Sequence, residues 1–228
     1  MNAMVVMVAH QPAYLPSRRL LDKISAADVF VLQDDLQFTR RDFQHRNRIA
    51  GGRWLTIPVH SGEKTRICDV RPADSRWLDK HDRIIAAHYR TSPNLAAWHA
   101  IRTAIGAQGA DARLSDIGYA CLVAMMAFLD IRTPMIRQSE LGLTDIDHRS
   151  PSARLVALCR LIGARTYLSG SGGLNYLEQD LFTESGITVR WQNYQVPPGC
   201  PELSFLHDLL TVEGLSRSCP DRTLVDRA

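Results

Sequence analysis

The sequence predicts an α/β fold: a mainly parallel sheet with flanking helices, Rossmann-like and three-layered, with a helical insertion in the middle. Three observations predict it. The first 32 residues read strand, loop, helix, strand, the order of a β-α-β unit with parallel strands. Residues 76–130 carry apolar residues at helical spacing. After Ser150 the alternation resumes, with short apolar runs at 166–169 and 187–191 around a further helical stretch.

Each element has a local reason. Val5 to Ala9 is β-branched and free of breakers, which suits a buried strand, and Pro12 and Pro16 keep the next stretch irregular. Ser17 stands where a helix cap would, ahead of Leu20, Leu21 and Ile24 on one face, and Val29 to Leu32 reads as the second strand. Trp54 to Val59 and Arg66 to Val70 read as further strands. Trp77, Ile84, Ile85, His88 and Tyr89 mark one helix, and Leu95, Trp98, Ile101 and Ile105 a second. Leu114 to Leu129 is the longest, apolar on more than one side. A short strand is expected after Pro134. Ser150-Pro151 starts a helix that Gly163 stops, and Leu203 to Leu210 is a last short one. With no linker or repeat, residues 1–228 read as one α/β domain and 76–130 as a helical lobe within it.

Composition narrows the function classes. Hydrophobic residues make up 45% and charged residues 22% of the 228, as in an ordinary globular chain. The longest apolar run, Cys121 to Leu129, is far below the roughly 18–20 residues that cross a bilayer. Met4 to Ala9 has neither a basic leader nor a cleavage site, so a cytoplasmic protein without membrane insertion is expected. Five cysteines without a C-x-x-C, Cys68, Cys121, Cys159, Cys200 and Cys219, read as free thiols, and no metal or other cofactor is expected. A net charge of +3 with no long basic run argues against DNA.

Two strand ends carry the chemistry. HQPAYLP follows the first strand and QDDLQF the second, so His10, Gln11, Asp34, Asp35 and Gln37 are expected at one carboxyl edge of the sheet, where ligands of parallel sheets bind. There His10 suits a general base and Asp34 or Asp35 its orienting carboxylate. The alternative is that His10 and Asp34 only bond loop amides. The run QFTRRDFQHRNRI sets Arg40, Arg41, Arg46 and Arg48 among Phe38 and Phe43; Gln44, Asn47 and Arg48 suit a polar or anionic substrate, and a single-stranded RNA strip would look similar. SGSGGLNYL follows a strand, and the backbone N–H groups of Gly170, Gly172 and Gly173 could turn toward an anion, with the Ser169 and Ser171 hydroxyls as further donors, although the motif lacks the lysine of a triphosphate loop. A plain tight turn fits it as well.

HQPAYLP, DDLQF, FQHRNRI and WLTIPV, followed by SPSARLVALCRLIGARTYLSGSGGLNYL and LSFLHDLL, resemble the WbqC-like family in order and spacing, from about Met7 to Gly214. The resemblance implies a small bacterial biosynthetic enzyme associated with surface polysaccharides or specialised metabolites. It also implies that His10, Gln11, Tyr14, Asp34, Asp35, Gln37, Asn47, Arg48, Ser169, Gly170 and Tyr176 belong to its recurring residues. Ser17, Arg18 and Arg19 depart from the family's glycine and aromatic after LP and make the pocket mouth more basic. The expected activity is acyl or aminoacyl transfer to a small amine or hydroxyl acceptor, on an anionic or phosphate-bearing substrate and with a carrier protein as a possible partner. Nucleotidyl or glycosyl transfer is the enzymatic alternative, and a carrier-protein or RNA binding module the non-catalytic one.

Overall fold

A computed structural model describes residues 5–62, 64–143, 150–195 and 202–212, together with the backbone of 224–225. Its sheet is built from β1 (Val6–His10), β2 (Val29–Leu32), β7 (Met135–Arg137), β8 (Thr166–Ser169), β9 (Thr188–Gln192) and β10 (Leu224–Val225). The strands lie in the order β10-β9-β8-β1-β2-β7, and only the β10 edge is antiparallel. The chain therefore winds from β1 through β2 to β7, returns to the other side of β1, and continues through β8 to β9. The carboxyl ends of β1 and β8 flank the point where the winding reverses, which is where open parallel sheets bind ligands.

Alternation along the strands sorts the core into two layers. Val8, Phe30 and Leu32 face one side, where they meet α1 (Arg18–Ser25), the helical lobe and α7 (Phe205–Thr211). Met7, Ala9, Val29 and Val31 face the other, against α5 (Pro151–Ile162) and α6 (Gln179–Glu184). This is the expected three-layer arrangement. The insertion is α2 (Trp77–His88), α3 (Leu95–Gly106) and α4 (Leu114–Phe128), all within the β2-to-β7 connection. Trp98, Ile101, Leu122 and Met125 are fully buried there, so α4's lack of a polar face reflects its place in the core. No helix among the described residues is long and apolar enough to cross a membrane.

Most local signals act as anticipated. Ser150 Oγ accepts from the Ala153 amide, Pro151 opens α5, and Gly163 ends it at φ 76°. Ser17 occupies the cap position of α1, but its side chain makes no cap bond. Two strand expectations are corrected. Residues 66–70 form a short 3-10 turn (Ile67–Asp69) instead of a strand, with a single bridge from Arg66 to Gln37. Trp54 to Val59 splits at Pro58 into β4 (Trp54–Thr56), which pairs with β3 (Arg46–Arg48), and β5 (Val59–His60), which pairs with β6 (Arg71–Pro72). Proline has no amide for a continuing ladder, so the ribbon changes partner there. Cys68, Cys121 and Cys159 are buried free thiols; Cys200 and Cys219 lie outside the described residues.

Candidate functional site

A cavity of about 530 Å3 opens at the β1/β8 switch point. Its wall includes His10 at the end of β1 and Gln11 beyond it, Gln33 after β2, Asn47 from β3, Lys23 and Arg19 from α1, and Ser169 at the end of β8 with Gly170 to Gly173 beyond it. Its size lies within the roughly 300–1,000 Å3 of small-molecule sites.

His10 is the last residue of β1, and the alternation of the strand turns it toward the α1 side. Its Nδ1 lies 2.7 Å from the Gln11 carbonyl oxygen. A carbonyl only accepts, so Nδ1 carries the hydrogen and the neutral ring keeps its lone pair on Nε2. No described residue bonds Nε2. Burial, and after it the nearby Lys23 ammonium, lower the His10 pKa to about 4, against opposing pulls from the Gln11 carbonyl and the Asp42 carboxylate. The ring is neutral at pH 7.

The loop after His10 is set by a chain of amides. Gln11 Nε2 donates to Asp42 Oδ2 at 3.0 Å, Gln44 Nε2 donates to Gln11 Oε1 at 2.9 Å, and the Thr39 amide donates to Gln44 Oε1. Each amide in that chain has one orientation, because the carboxylate at its end only accepts. Leu15 has φ 47°, a left-handed backbone that costs roughly 1 kcal/mol or more in a non-glycine residue. Asn47 Nδ2 donates to its carbonyl at 2.7 Å and holds it there. Asn47 thus reaches the cavity while bracing the loop.

On the opposite wall, the glycines after β8 form a 3-10 turn, Ser171–Asn175. Gly173 must be glycine: an added Cβ would lie 2.1 Å from Ser169 Oγ and 2.9 Å from Leu177 Cδ1. At Gly172 the same test finds open space. Ser171 and Gly172 are exposed at the cavity edge, and half-exposed Tyr176 closes that side.

The structure thus brings His10, Gln11, Asn47, Ser169, Gly170, Ser171, Gly172 and Tyr176 to one cavity and sets the other expected site residues elsewhere. Asp34 is fully buried, and its carboxylate accepts from the amide and the hydroxyl of Ser139. Asp35 accepts from Gln138 Nε2, and Gln138 Oε1 in turn accepts from Gln33 Nε2, so two amides link Asp35 to the cavity wall. Gln44 lies beneath the loop. Gln37 is exposed beside Arg66, away from the cavity. Tyr14 points into the helical lobe, where its hydroxyl meets His81 Nδ1 at 2.8 Å. Arg46 and Arg48 stack on Trp54, at 4.2 and 5.4 Å from the ring centroid, and Arg40 is exposed and donates to the Ser61 carbonyl.

Sequence reasoning passed over Lys23. It is only 7% exposed, lines the cavity, and has burial lowering its pKa to about 8. Its signal was a lysine at i+3 from Leu20 and directly before Ile24, inside the apolar stripe of α1. Asp42 carries no such signal, because it stands among arginines whose pattern points to anions.

These features define a doubly wound α/β protein with a cavity at the reversal point of its sheet, lined by a neutral histidine and a glycine turn. The chain belongs to the WbqC-like protein family, whose model matches residues 11–212. It is 29% identical over 189 residues to the uncharacterized protein Rv1507c of Mycobacterium tuberculosis, covering 81% of this chain and 80% of that one. No solved structure matches the chain.

Proposed function

We infer that the cavity is the active site of a group-transfer enzyme, one that moves an acyl or aminoacyl group onto a small amine or hydroxyl acceptor. The single observation that carries this reading is the fixed tautomer of His10, with Nδ1–H held by the Gln11 carbonyl and a free Nε2 lone pair at the cavity. In the transfer, the acceptor's N–H or O–H gives its proton to Nε2 as its lone pair attacks the acyl carbon. The bond from that carbon to the leaving group then breaks, and the leaving group takes the proton from the imidazolium. Asp42, one hydrogen-bonded amide away through Gln11, stabilises the imidazolium while it exists. A ring with a pKa of about 4 is a weak base in the empty site, and a negative charge brought in by substrate raises it toward working pH. Asp34 and Asp35 act in this reading through Ser139 and Gln138, as positioning residues for the ends of β2 and β7.

The family resemblance supports a place in bacterial surface-polysaccharide or specialised-metabolite biosynthesis. The test supplies purified protein with acyl thioesters and acyl phosphates together with small amines and amino sugars, and reads products by mass spectrometry. A product that forms with wild type and not with His10→Gln, at unchanged melting temperature, supports the reading. Full turnover in His10→Gln removes His10 as the base.

A further inference from the structure

Lys23 is a lysine where this chain otherwise uses arginine. Of its 27 basic residues only Lys23, Lys64 and Lys80 are lysines, which leaves 24 arginines. Lys23 is the one buried among the three, and no described residue accepts a hydrogen bond or forms an ion pair with its ammonium. An ammonium that is desolvated and has no described counter-charge is costly, and an anion entering the cavity it lines would offset that cost. The neighbouring cation, Arg19, has a counter-charge of its own, while its Nε is a buried donor without a partner among the described residues. Arg19 Nη2 is paired with Glu202 Oε1 at 3.0 Å, and its guanidinium lies 5.3 Å from the Tyr194 ring centroid. Among the described residues Lys23 is left without a counter-charge, and a Cβ built on Gly170 would stand 3.8 Å from its Nζ.

We propose that Lys23 and the Gly170–Gly172 turn form a binding site for a single phosphoryl group carried by the substrate. This rests on the cavity being the active site and names the substrate class it takes. The arrangement suits a phosphoryl group: lysine presents a compact point charge, and a tetrahedral anion has further oxygens for a hydroxyl and for backbone donors at the turn. One positive charge suits one phosphoryl group and leaves a triphosphate largely uncompensated. The Ser171 hydroxyl is exposed at the same edge, and Gly172 leaves open space there for an anion to approach the backbone. Because the Lys23 charge also lowers the His10 pKa, neutralising it on binding raises His10 toward the range where a base works. Substrate arrival and activation of the base are thereby coupled.

The test is thermal unfolding of wild type and Lys23→Met in inorganic phosphate, with sodium acetate and sodium chloride at matched ionic strength as separate arms. Phosphate at millimolar concentration is expected to raise the wild-type melting temperature by a few degrees and to leave that of Lys23→Met unchanged. Acetate and chloride should shift neither. No phosphate-specific rise in wild type, an equal rise in the variant, or a rise with acetate alone overturns the assignment. If Lys23→Met fails to fold, 13C reductive methylation of wild type gives the second reading. Phosphate should then move the Lys23 dimethylamine resonance and leave those of Lys64 and Lys80 in place, and an unmoved Lys23 signal overturns the site. The same phosphate titration on His10→Gln keeps the two ideas apart, since the anion site should survive there even if His10 proves not to be the base.

Discussion

Asp34 is held at both carboxylate oxygens by one residue: the Ser139 amide donates to Oδ1 at 2.9 Å and the Ser139 hydroxyl to Oδ2 at 2.8 Å. Its own carbonyl accepts from the Cys68 amide at 2.8 Å. One buried side chain thus ties the end of β2 to the residues just after β7, while the carbonyl secures the 3-10 turn at Ile67–Asp69. Asp34→Ala strands two donors, and the expected loss is about 2–4 kcal/mol in urea denaturation. Asp34→Asn keeps one acceptor and should lose about half as much. Activity in both variants should follow the folded fraction. An Asp34→Asn protein that is fully stable and yet inactive would put the carboxylate in direct contact with the reaction.

The glycine turn separates packing from binding at adjacent positions. Gly173→Ala places a methyl group 2.1 Å from Ser169 Oγ and 3.1 Å from the Trp191 ring, so those packed side chains or the turn itself must shift. The expected cost is about 2–3 kcal/mol, as for other overpacked positions. Gly172→Ala meets nothing within 4 Å at an unstrained backbone angle, and its stability should lie within about 0.5 kcal/mol of wild type. Thermal melts of the two variants side by side check both. Equal losses would mean that the turn is not packed against Ser169.

The fold was legible because its signals are local. β-branched runs, Pro12 and Pro16, the Ser150-Pro151 start and the Gly163 stop each act within a few residues, and their order specifies a β-α-β winding. The site was legible only in part, because its composition depends on strand order. A reading that pairs β1 with β2 sets His10 beside Asp34, and those strands are indeed neighbours. Yet β1 has a second parallel neighbour, β8, about 160 residues on, and the cavity opens on that side. No local pattern tells the two sides apart. Lys23 was hidden for a related reason: a helix lysine is normally read as solvated, and its burial follows from the turn after β8 lying over α1.

Acid should unfold this protein through two histidines held neutral in the folded state, buried His81 and part-buried His10. His81 is 4% exposed, accepts from the Tyr14 hydroxyl, and places its Nε2 3.2 Å from the Thr56 carbonyl; burial lowers its pKa to about 4, as it does for His10. The folded values lie below the ordinary 6.5, so the unfolded chain binds more protons between the two. Both contributions are fully present above pH 6.5 and are lost as the pH falls through 6.5 toward 4. Together they should remove on the order of 4–6 kcal/mol across that window. Urea midpoints from pH 7.5 to 4.5 measure the fall. His81→Gln, which can keep a donor and an acceptor but does not titrate there, should flatten it by about half; an unchanged slope would show that His81 is not buried neutral.

Lys23 should be a stability defect that the site retains. Burial lowers its pKa from 10.5 to about 8, so the folded state disfavours the charge that the unfolded chain carries freely. Below pH 8 both states are protonated and the full cost is present. Between pH 8 and 10.5 the folded state sheds the proton first, and stability recovers as the pH rises. Lys23→Met keeps an unbranched side chain, one atom shorter and without the charge, and should therefore be about 2–3 kcal/mol more stable than wild type at pH 7. That advantage should shrink as the pH approaches 10. Urea denaturation of both proteins at pH 7 and pH 9.5 gives the comparison directly. A variant no more stable at pH 7, or one whose advantage does not change with pH, would mean that the ammonium already has a counter-charge in the folded protein, and the cavity would then hold no spare cation for a ligand.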